Sequence, residues 1–382
     1  MSSNCQTERT FLSDQPDVSN YTLPVYIHLY LFAFFKWRSD LRSFMQSFRI
    51  QDAEMADGKL RKAVHGGRGK YLSGSILDFS ASLNPVPPKI DWIPDPRCLS
   101  AYPDDGYHEL KSVISRIFKR PVEEICVGNG SIEVLRAFCM AKLGPGKTYK
   151  IDNPTFGEYA LSAELTKANL ARGNVSPTVR FLCNPNNPTG HLMTRQKILE
   201  ALDTVSKEGT TLFLDEAFIE LADTQESVSD IRDPDLFVLR SLTKCFSVPG
   251  IRFGYGFGDP DLIEKIELLR APWSVNAFAE TFALAALEKL GDLEESREYI
   301  RKEREYLAIE LTELGFSVEP SSTNFILVHV HRNAGTFCDR LLRKGILVRD
   351  CASFGLPESI RVAVMKHEEN QQLIQAITEC LR

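Results

Sequence analysis

From about residue 76 to the C-terminus, short apolar runs alternate with stretches of helical period. The runs Ile125-Cys126-Val127, Val179-Arg180-Phe181-Leu182-Cys183, Thr211-Leu212-Phe213-Leu214 and Leu236-Phe237-Val238-Leu239 are candidate strands, and three of them stop at polar or glycine-rich turns. This alternation predicts an α/β fold with a mostly parallel sheet. Ligands of such sheets lie beyond the carboxyl ends of the strands, so the residues just after each run are where chemistry is to be sought.

A smaller α+β region is expected from about residue 275, where the charged, helix-periodic stretch Glu280 to Leu314 precedes the strand-like Phe325-Ile326-Leu327-Val328-His329-Val330. Pro85, Pro87, Pro88, Pro94 and Pro96 make the segment after Asn84 an extended connector. The expected organisation is an N-terminal extension (1–58), an arm and connector (59–98), a large domain (99–274) and a small C-terminal domain (275–382). No internal repeat or low-complexity tract interrupts it.

Composition narrows the function classes. With a formal net charge of -6 and interspersed signs, the chain has no basic face for a phosphate backbone, so a nucleic-acid partner is not expected. Its nine cysteines contain no CxxC pair and its histidines are dispersed, which points away from a disulfide framework or a metal centre. The apolar, aromatic run Tyr21 to Trp37 falls short of the roughly 20 residues that span a bilayer. It holds Pro24 and His28, and Glu8, Asp14 and Asp17 precede it, so neither a membrane span nor a secretory signal is expected and the predicted location is the cytoplasm. Residues 1 to 54 are either an arm packed on the body or translated sequence upstream of a start at Met55. The second is preferred, because recognisable sequence begins only after Met55.

Four features carry chemistry. Gly128-Asn129-Gly130-Ser131, between a strand and the helix-like run from Ile132, aims backbone N–H groups at an anion, or is simply a tight turn. Cys183-Asn184-Pro185-Asn186-Asn187-Pro188-Thr189-Gly190 presents the Asn187 amide from a backbone fixed by two prolines. Asp215 ends a buried strand, where a carboxylate is costly unless it meets a cation such as a protonated pyridine nitrogen; the alternative is a helix cap. Lys244, in Ser241-Leu242-Thr243-Lys244, is flanked by hydroxyls and followed by Arg252, whose fork suits phosphate oxygens. In this order, a phosphate cradle, an amide, a carboxylate and a lysine match what one cofactor requires: pyridoxal phosphate.

From about residue 60 onwards these motifs resemble the fold type I, aspartate-aminotransferase-like superfamily of pyridoxal-phosphate enzymes, within it the branch of histidinol-phosphate aminotransferases and threonine-phosphate decarboxylases. The resemblance implies that Lys244 carries the cofactor as a Schiff base, Asp215 pairs with the pyridine nitrogen and Asn187 bonds the ring hydroxyl. It implies that Gly130, Ser131, Ser241, Thr243 and Arg252 hold the cofactor phosphate, Phe156 stacks on the ring, and Tyr102 reaches the phosphate of a neighbouring subunit in a homodimer. The decarboxylases are the nearer match: His65-Gly66-Gly67, Asp78-Phe79-Ser80-Ala81-Ser82-Leu83-Asn84-Pro85 and Arg349-Asp350-Cys351-Ala352-Ser353-Phe354 are similar to their segments, and Phe218 stands where the aminotransferases carry a tyrosine. On that basis His65, Gly66, Asn84, Asn187, Arg349 and Arg361 are the expected contacts of a phosphorylated amino-acid substrate. The implied reaction is decarboxylation of O-phospho-L-threonine, with histidinol-phosphate transamination as the alternative and a non-catalytic regulator as the remote one. The chain also departs from the pattern between Phe156 and Cys183, where a strand and a helix of the large domain are expected to be missing.

Overall fold

The computed structural model describes residues 60, 62–69, 72, 75–173 and 175–382. The run Tyr21 to Trp37 and the start at Met55 lie outside the described residues. The first described strand, β1 (Leu77–Asp78), is followed by α1 (His108–Phe118), β2 (Ile125–Asn129), α2 (Ser131–Lys142), β3 (Thr148–Ile151), α3 (Glu158–Leu165) and β4 (Asn169–Leu170). Next come β5 (Val179–Cys183), α4 (Arg195–Ser206), β6 (Thr211–Asp215), β7 (Leu236–Ser241), β8 (Phe253–Phe257) and α5 (Pro260–Leu269).

These strands form a seven-stranded sheet in the order β2-β8-β7-β6-β5-β3-β4. All pairings from β7 to β4 are parallel, and β8 alone runs against its two neighbours. The expected mostly parallel α/β fold is therefore present. Every residue of β6 and β7 is buried, which is why the runs Thr211–Leu214 and Leu236–Leu239 read as continuous apolar stretches rather than as alternation. Strand β8, absent from the sequence reading, alternates Phe253, Tyr255 and Phe257 with two glycines. Gly254 matters for the site: a Cβ there would stand 2.3 Å from the backbone N of Ser131, so the bare backbone lets β8 press against the start of α2.

The stretch between Phe156 and Cys183 corrects one expectation. It contains α3 and β4, so the expected strand and a helix are present and the sheet reaches its seventh strand. The shortening is confined to the link between Leu170 and Val179, which holds no helix among the described residues. A parallel crossover ordinarily takes a dozen or more residues. Here β4 is only two residues long, so little chain is needed to return to β5.

C-terminal to the large sheet lie α6 (Ala277–Leu287), α7 (Glu294–Glu313), β9 (Ser317–Val318), β10 (Phe325–His329), α8 (Ala334–Leu342), β11 (Ile346–Leu347), β12 (Arg349–Asp350), β13 (Ser359–Ala363) and α9 (His367–Leu381). The stretch Glu280 to Leu314, read as one helical run, is broken by a 3-10 turn at Leu290–Leu293. Gly291 lies in that turn, where the absence of a side chain weakens an α-helix. Strands β12-β13-β10-β9 make an antiparallel sheet, and β11 pairs in parallel with β1, which ties the N-terminal connector to the C-terminal region.

Phe138, Phe181, Phe213 and Phe237 form an aromatic layer on one face of the large sheet, with ring centroids 4.7 Å apart for Phe138 and Phe213 and 5.3 Å for Phe213 and Phe237. The Tyr159 ring stacks on Phe181 at 5.5 Å, so this layer holds a tyrosine in place at the site. Among the described residues no helix is long and apolar enough to cross a membrane.

Candidate active site

The ends of three adjacent strands meet in one row. Sheet register places Ser241 opposite Gly254, and Gly254 opposite Gly128. Beyond that row the chain turns at Gly130, with φ 77 and ψ 159, a region essentially reserved for glycine, and enters α2 at Ser131. A Cβ on residue 130 would lie 2.1 Å from Nη2 of Arg252, so the guanidinium fills the space that the missing side chain leaves. Arg252 itself takes the left-handed φ of 64, and its Nη1 donates to the Pro249 carbonyl at 3.0 Å. The hydroxyls of Ser241 and Thr243 are 2.9 Å apart and buried. Helix N–H groups, two hydroxyls and a guanidinium converge here as a phosphate demands.

Glu133, not singled out in the sequence, braces this cradle. Its Oε2 accepts from the Asn129 backbone N at 2.6 Å and from the Ser274 hydroxyl at 2.7 Å. An acidic residue in the first turn of a helix is common, so it carries no sequence signal of its own.

Asp215 ends β6 almost fully buried. Tyr159 donates its hydroxyl to Oδ2 at 2.7 Å, and the Ala217 backbone N donates to Oδ1 at 2.8 Å. Burial pushes the carboxyl up to about 6, and the two hydrogen bonds act against that shift. Lys244 draws the carboxyl down but forms no ion pair with it among the described residues, and a pyridinium nitrogen would supply that direct partner. Tyr159 was missed because its partner is distant in sequence and nothing local marks it.

Lys244 follows the Ser241–Thr243 pair. Burial pushes its ammonium down to about 8, with Arg361 and Arg252 adding to the shift and Asp215 opposing it. Its Nζ lies 5.9 Å from the centroid of the Phe218 ring, which offers no hydroxyl. Asn84 secures the lysine's backbone: its N–H donates to the Lys244 carbonyl at 3.1 Å, and Nδ2 donates to the Cys245 carbonyl at 2.8 Å and to the Ser296 hydroxyl at 3.0 Å. Its Oδ1 accepts from Val86 N at 3.0 Å, so the side chain singled out as a substrate contact is occupied in holding the lysine segment.

The remaining residues join the N-terminal arm to the C-terminal sheet. Arg361, on β13 and buried, donates from Nη1 to Asn187 Oδ1 and from Nη2 to the Ser80 carbonyl at 3.0 Å, while its buried Nε has no hydrogen-bond partner among the described residues. Arg349 Nη2 donates to the Val64 carbonyl at 3.0 Å and to the Ser353 hydroxyl at 2.6 Å. Gly67 N donates to Ser80 Oγ at 2.8 Å, and a Cβ on Gly66 would stand 2.1 Å from the Ser80 carbonyl oxygen. His65 is thereby brought beside Phe156, ring centroids 5.9 Å apart, and Phe156 beside Tyr159 at 5.5 Å. Tyr102 stands apart from this cluster, 80% exposed, its ring 4.5 Å from that of Trp273.

The residues present fit pyridoxal phosphate: a cradle that a Cβ would fill, a buried carboxylate short of a cation, a buried lysine with a depressed pKa and an orphaned guanidinium Nε. Lys244, Asp215, Asn187, Phe156 and the Gly130–Ser131 turn with Ser241, Thr243 and Arg252 are the residues that would hold it.

Comparison with known proteins agrees. The family model for aminotransferase class I and II matches residues 95–377. A histidinol-phosphate aminotransferase of Symbiobacterium thermophilum is 32% identical over 75% of this chain and 87% of its own. A protein named "Putative threonine-phosphate decarboxylase" from Caldanaerobacter subterraneus subsp. tengcongensis is 35% identical over 84% and 94%. Among solved structures, the histidinol-phosphate aminotransferase of Clostridium acetobutylicum aligns with TM-score 0.71 and 27% identity over 80% of this chain and 99% of its own. The L-threonine-O-3-phosphate decarboxylase of Porphyromonas gingivalis aligns with TM-score 0.66 and 26% identity over 75% and 92%. Fold, matched family and the fit of the site agree: the chain is a pyridoxal 5'-phosphate-dependent enzyme of the class I and II aminotransferase family.

Proposed function

We propose that this enzyme decarboxylates O-phospho-L-threonine to (R)-1-amino-2-propanol phosphate, a precursor of the cobalamin side chain, as a cytoplasmic homodimer. The observation that carries the reading is the arm: Arg349 holds the Val64 carbonyl and Ser80 holds Gly67, so His65 stands beside Phe156 with the two arginines of the C-terminal sheet bonded to the same arm and its connector. The Phe218 ring beside Lys244 supports it too, since the resembled aminotransferases carry a tyrosine there. The Tyr102 ring supports the dimer, being 80% exposed and apart from the cluster of its own site.

Pyridoxal phosphate, when bound, accepts the electrons of whichever substrate bond stands perpendicular to its ring. Orientation therefore selects the reaction, and orientation is the work of the chain. His65, Arg349 and Arg361 clamp the substrate phosphate, which turns the α-carboxylate perpendicular. The carboxylate leaves as carbon dioxide and one proton takes its place on the α-carbon, so the amine product keeps its phosphate. With its pKa lowered to about 8, Lys244 is partly unprotonated near neutrality, which suits it to exchange a proton and to release the amine.

The second reading, histidinol-phosphate aminotransferase, is favoured by the names of several relatives. It needs the same clamp with the α-hydrogen perpendicular. Assaying the cofactor-loaded protein on both chemistries decides between them. Carbon dioxide release from O-phospho-L-threonine is expected, whereas formation of 2-oxoglutarate from glutamate with imidazole-acetol phosphate, without decarboxylation, sinks the proposal.

A further inference from the structure

We propose that Glu158 is a positioning residue for His65 and, through it, for recognition of the substrate phosphate. The inference rests on the reading that the substrate carries a phosphate at the His65 end of the site. Glu158 opens α3, only 4% exposed. A buried carboxylate persists only where cations or donors face it. Two do so. His65 Nε2 lies 2.9 Å from Oε1, and Arg136 Nη2 donates to Oε2 at 3.3 Å. These partners hold the Glu158 carboxyl below its ordinary range, the hydrogen bond from His65 contributing most, so it is an acceptor at neutral pH.

An ionised carboxylate cannot donate, so the ring proton of this pair sits on Nε2 of His65. Nδ1 has no hydrogen-bond partner among the described residues and is the nitrogen left for a ligand, donating to a phosphate oxygen when the ring carries both protons. The backbone around the imidazole is fixed independently, by Arg349 on Val64 and by Ser80 on Gly67. What remains free is the rotation of the side chain, and the bond to Glu158 stops it. Successive residues thus serve the two ends of the site: Glu158 orients the ring that meets the substrate, and Tyr159 holds the carboxylate that meets the cofactor.

Glu158 is not a catalytic residue, since its partners are protein side chains. Its substitution is expected to act on KM rather than kcat. In the cofactor-loaded protein, Glu158→Ala should raise KM for the phosphorylated substrate about tenfold, the effect of losing one hydrogen bond to a charged group, with kcat changed no more than about twofold. Glu158→Gln keeps an acceptor for Nε2 and should recover most of that loss. In a His65→Ala background Glu158→Ala should add nothing further, because the two act as one unit. The ring-nitrogen NMR signals of His65 should also shift in Glu158→Ala without any substrate.

An additive penalty in the double variant, a fall in kcat at unchanged KM, or unaltered His65 ring signals would each overturn the proposal while the substrate reading stands. Wild-type turnover of unphosphorylated amino acids alone, with neither phosphorylated substrate accepted, overturns both.

Discussion

Asp215, Ser241 and Lys244 stand at or just past the ends of adjacent strands, each placed by the sheet that also buries it. His65, Arg349 and Arg361 are assembled differently, through bonds that join residues 285 positions apart for Val64 and Arg349 and 281 for Ser80 and Arg361. The cofactor half is thus a property of one sheet, whereas the substrate half exists only once the two ends of the described chain have docked. Damage to the first half should abolish chemistry, and damage to the second should redirect or weaken it.

The largest effect is expected at Lys244. Lys244→Ala should abolish the visible band near 400–430 nm (roughly, from the chemistry of the cofactor) and lower turnover by at least about 10³-fold. Retention of band and turnover would break the comparison at its strongest point.

Asp215→Asn should come next, with activity down on the order of 10²-fold or more as the ring loses its ionic partner. It also has a signature without cofactor. The folded-state pKa of Asp215, about 6, lies above the unfolded value near 3.9, so the native protein holds the extra proton between those values and loses stability as pH rises through that window. Cofactor-free Asp215→Asn should therefore gain on the cofactor-free wild type by about 2–3 kcal/mol between roughly pH 4 and pH 6 and by no more above it. Denaturant titrations at several pH values read this directly, and a pH-independent difference would show that burial does not govern this carboxyl.

Gly130→Ala probes the cradle. The glycine-only backbone and the approach to Arg252 together should cost about 1–3 kcal/mol, seen as weaker cofactor binding in equilibrium dialysis. Unchanged affinity would mean that Arg252 moves aside freely. The smallest effect belongs to Tyr159→Phe, which removes one donor from Asp215 and keeps the stacked ring. Cofactor affinity should fall by about tenfold or less, and the loss should be steepest on the acid side, where the unaided carboxyl takes up its proton first. A uniform loss at all pH values would reduce Tyr159 to a packing role.

The same contrast explains what was legible in the sequence. Thr211–Leu214 and Leu236–Leu239 announced themselves as strands because burial on both faces leaves no room for polar residues, and the polar residues after them were exposed as exceptions. Strand β8 stayed hidden because Gly254 and Gly256 interrupt its apolar pattern, although that absence of side chains is what lets it meet α2. Tyr159 and Glu158 were invisible because their meaning lies in partners 56 and 93 residues away. His65 and the arginines were found only through likeness to a family, since no local pattern could show that an arm would cross to the C-terminal sheet. Asn84 shows the limit of that route: a residue carried over as a substrate contact is occupied with the backbone of Lys244 and Cys245.

The most direct test mixes cofactor-loaded protein with a stoichiometric amount of O-phospho-L-threonine and no oxo acid, and follows carbon dioxide and the visible spectrum together. One carbon dioxide per substrate is expected, with the spectrum returning to its starting form. A spectrum that stays shifted, with an oxo acid formed and no carbon dioxide released, would contradict decarboxylation and place the enzyme among the transaminases.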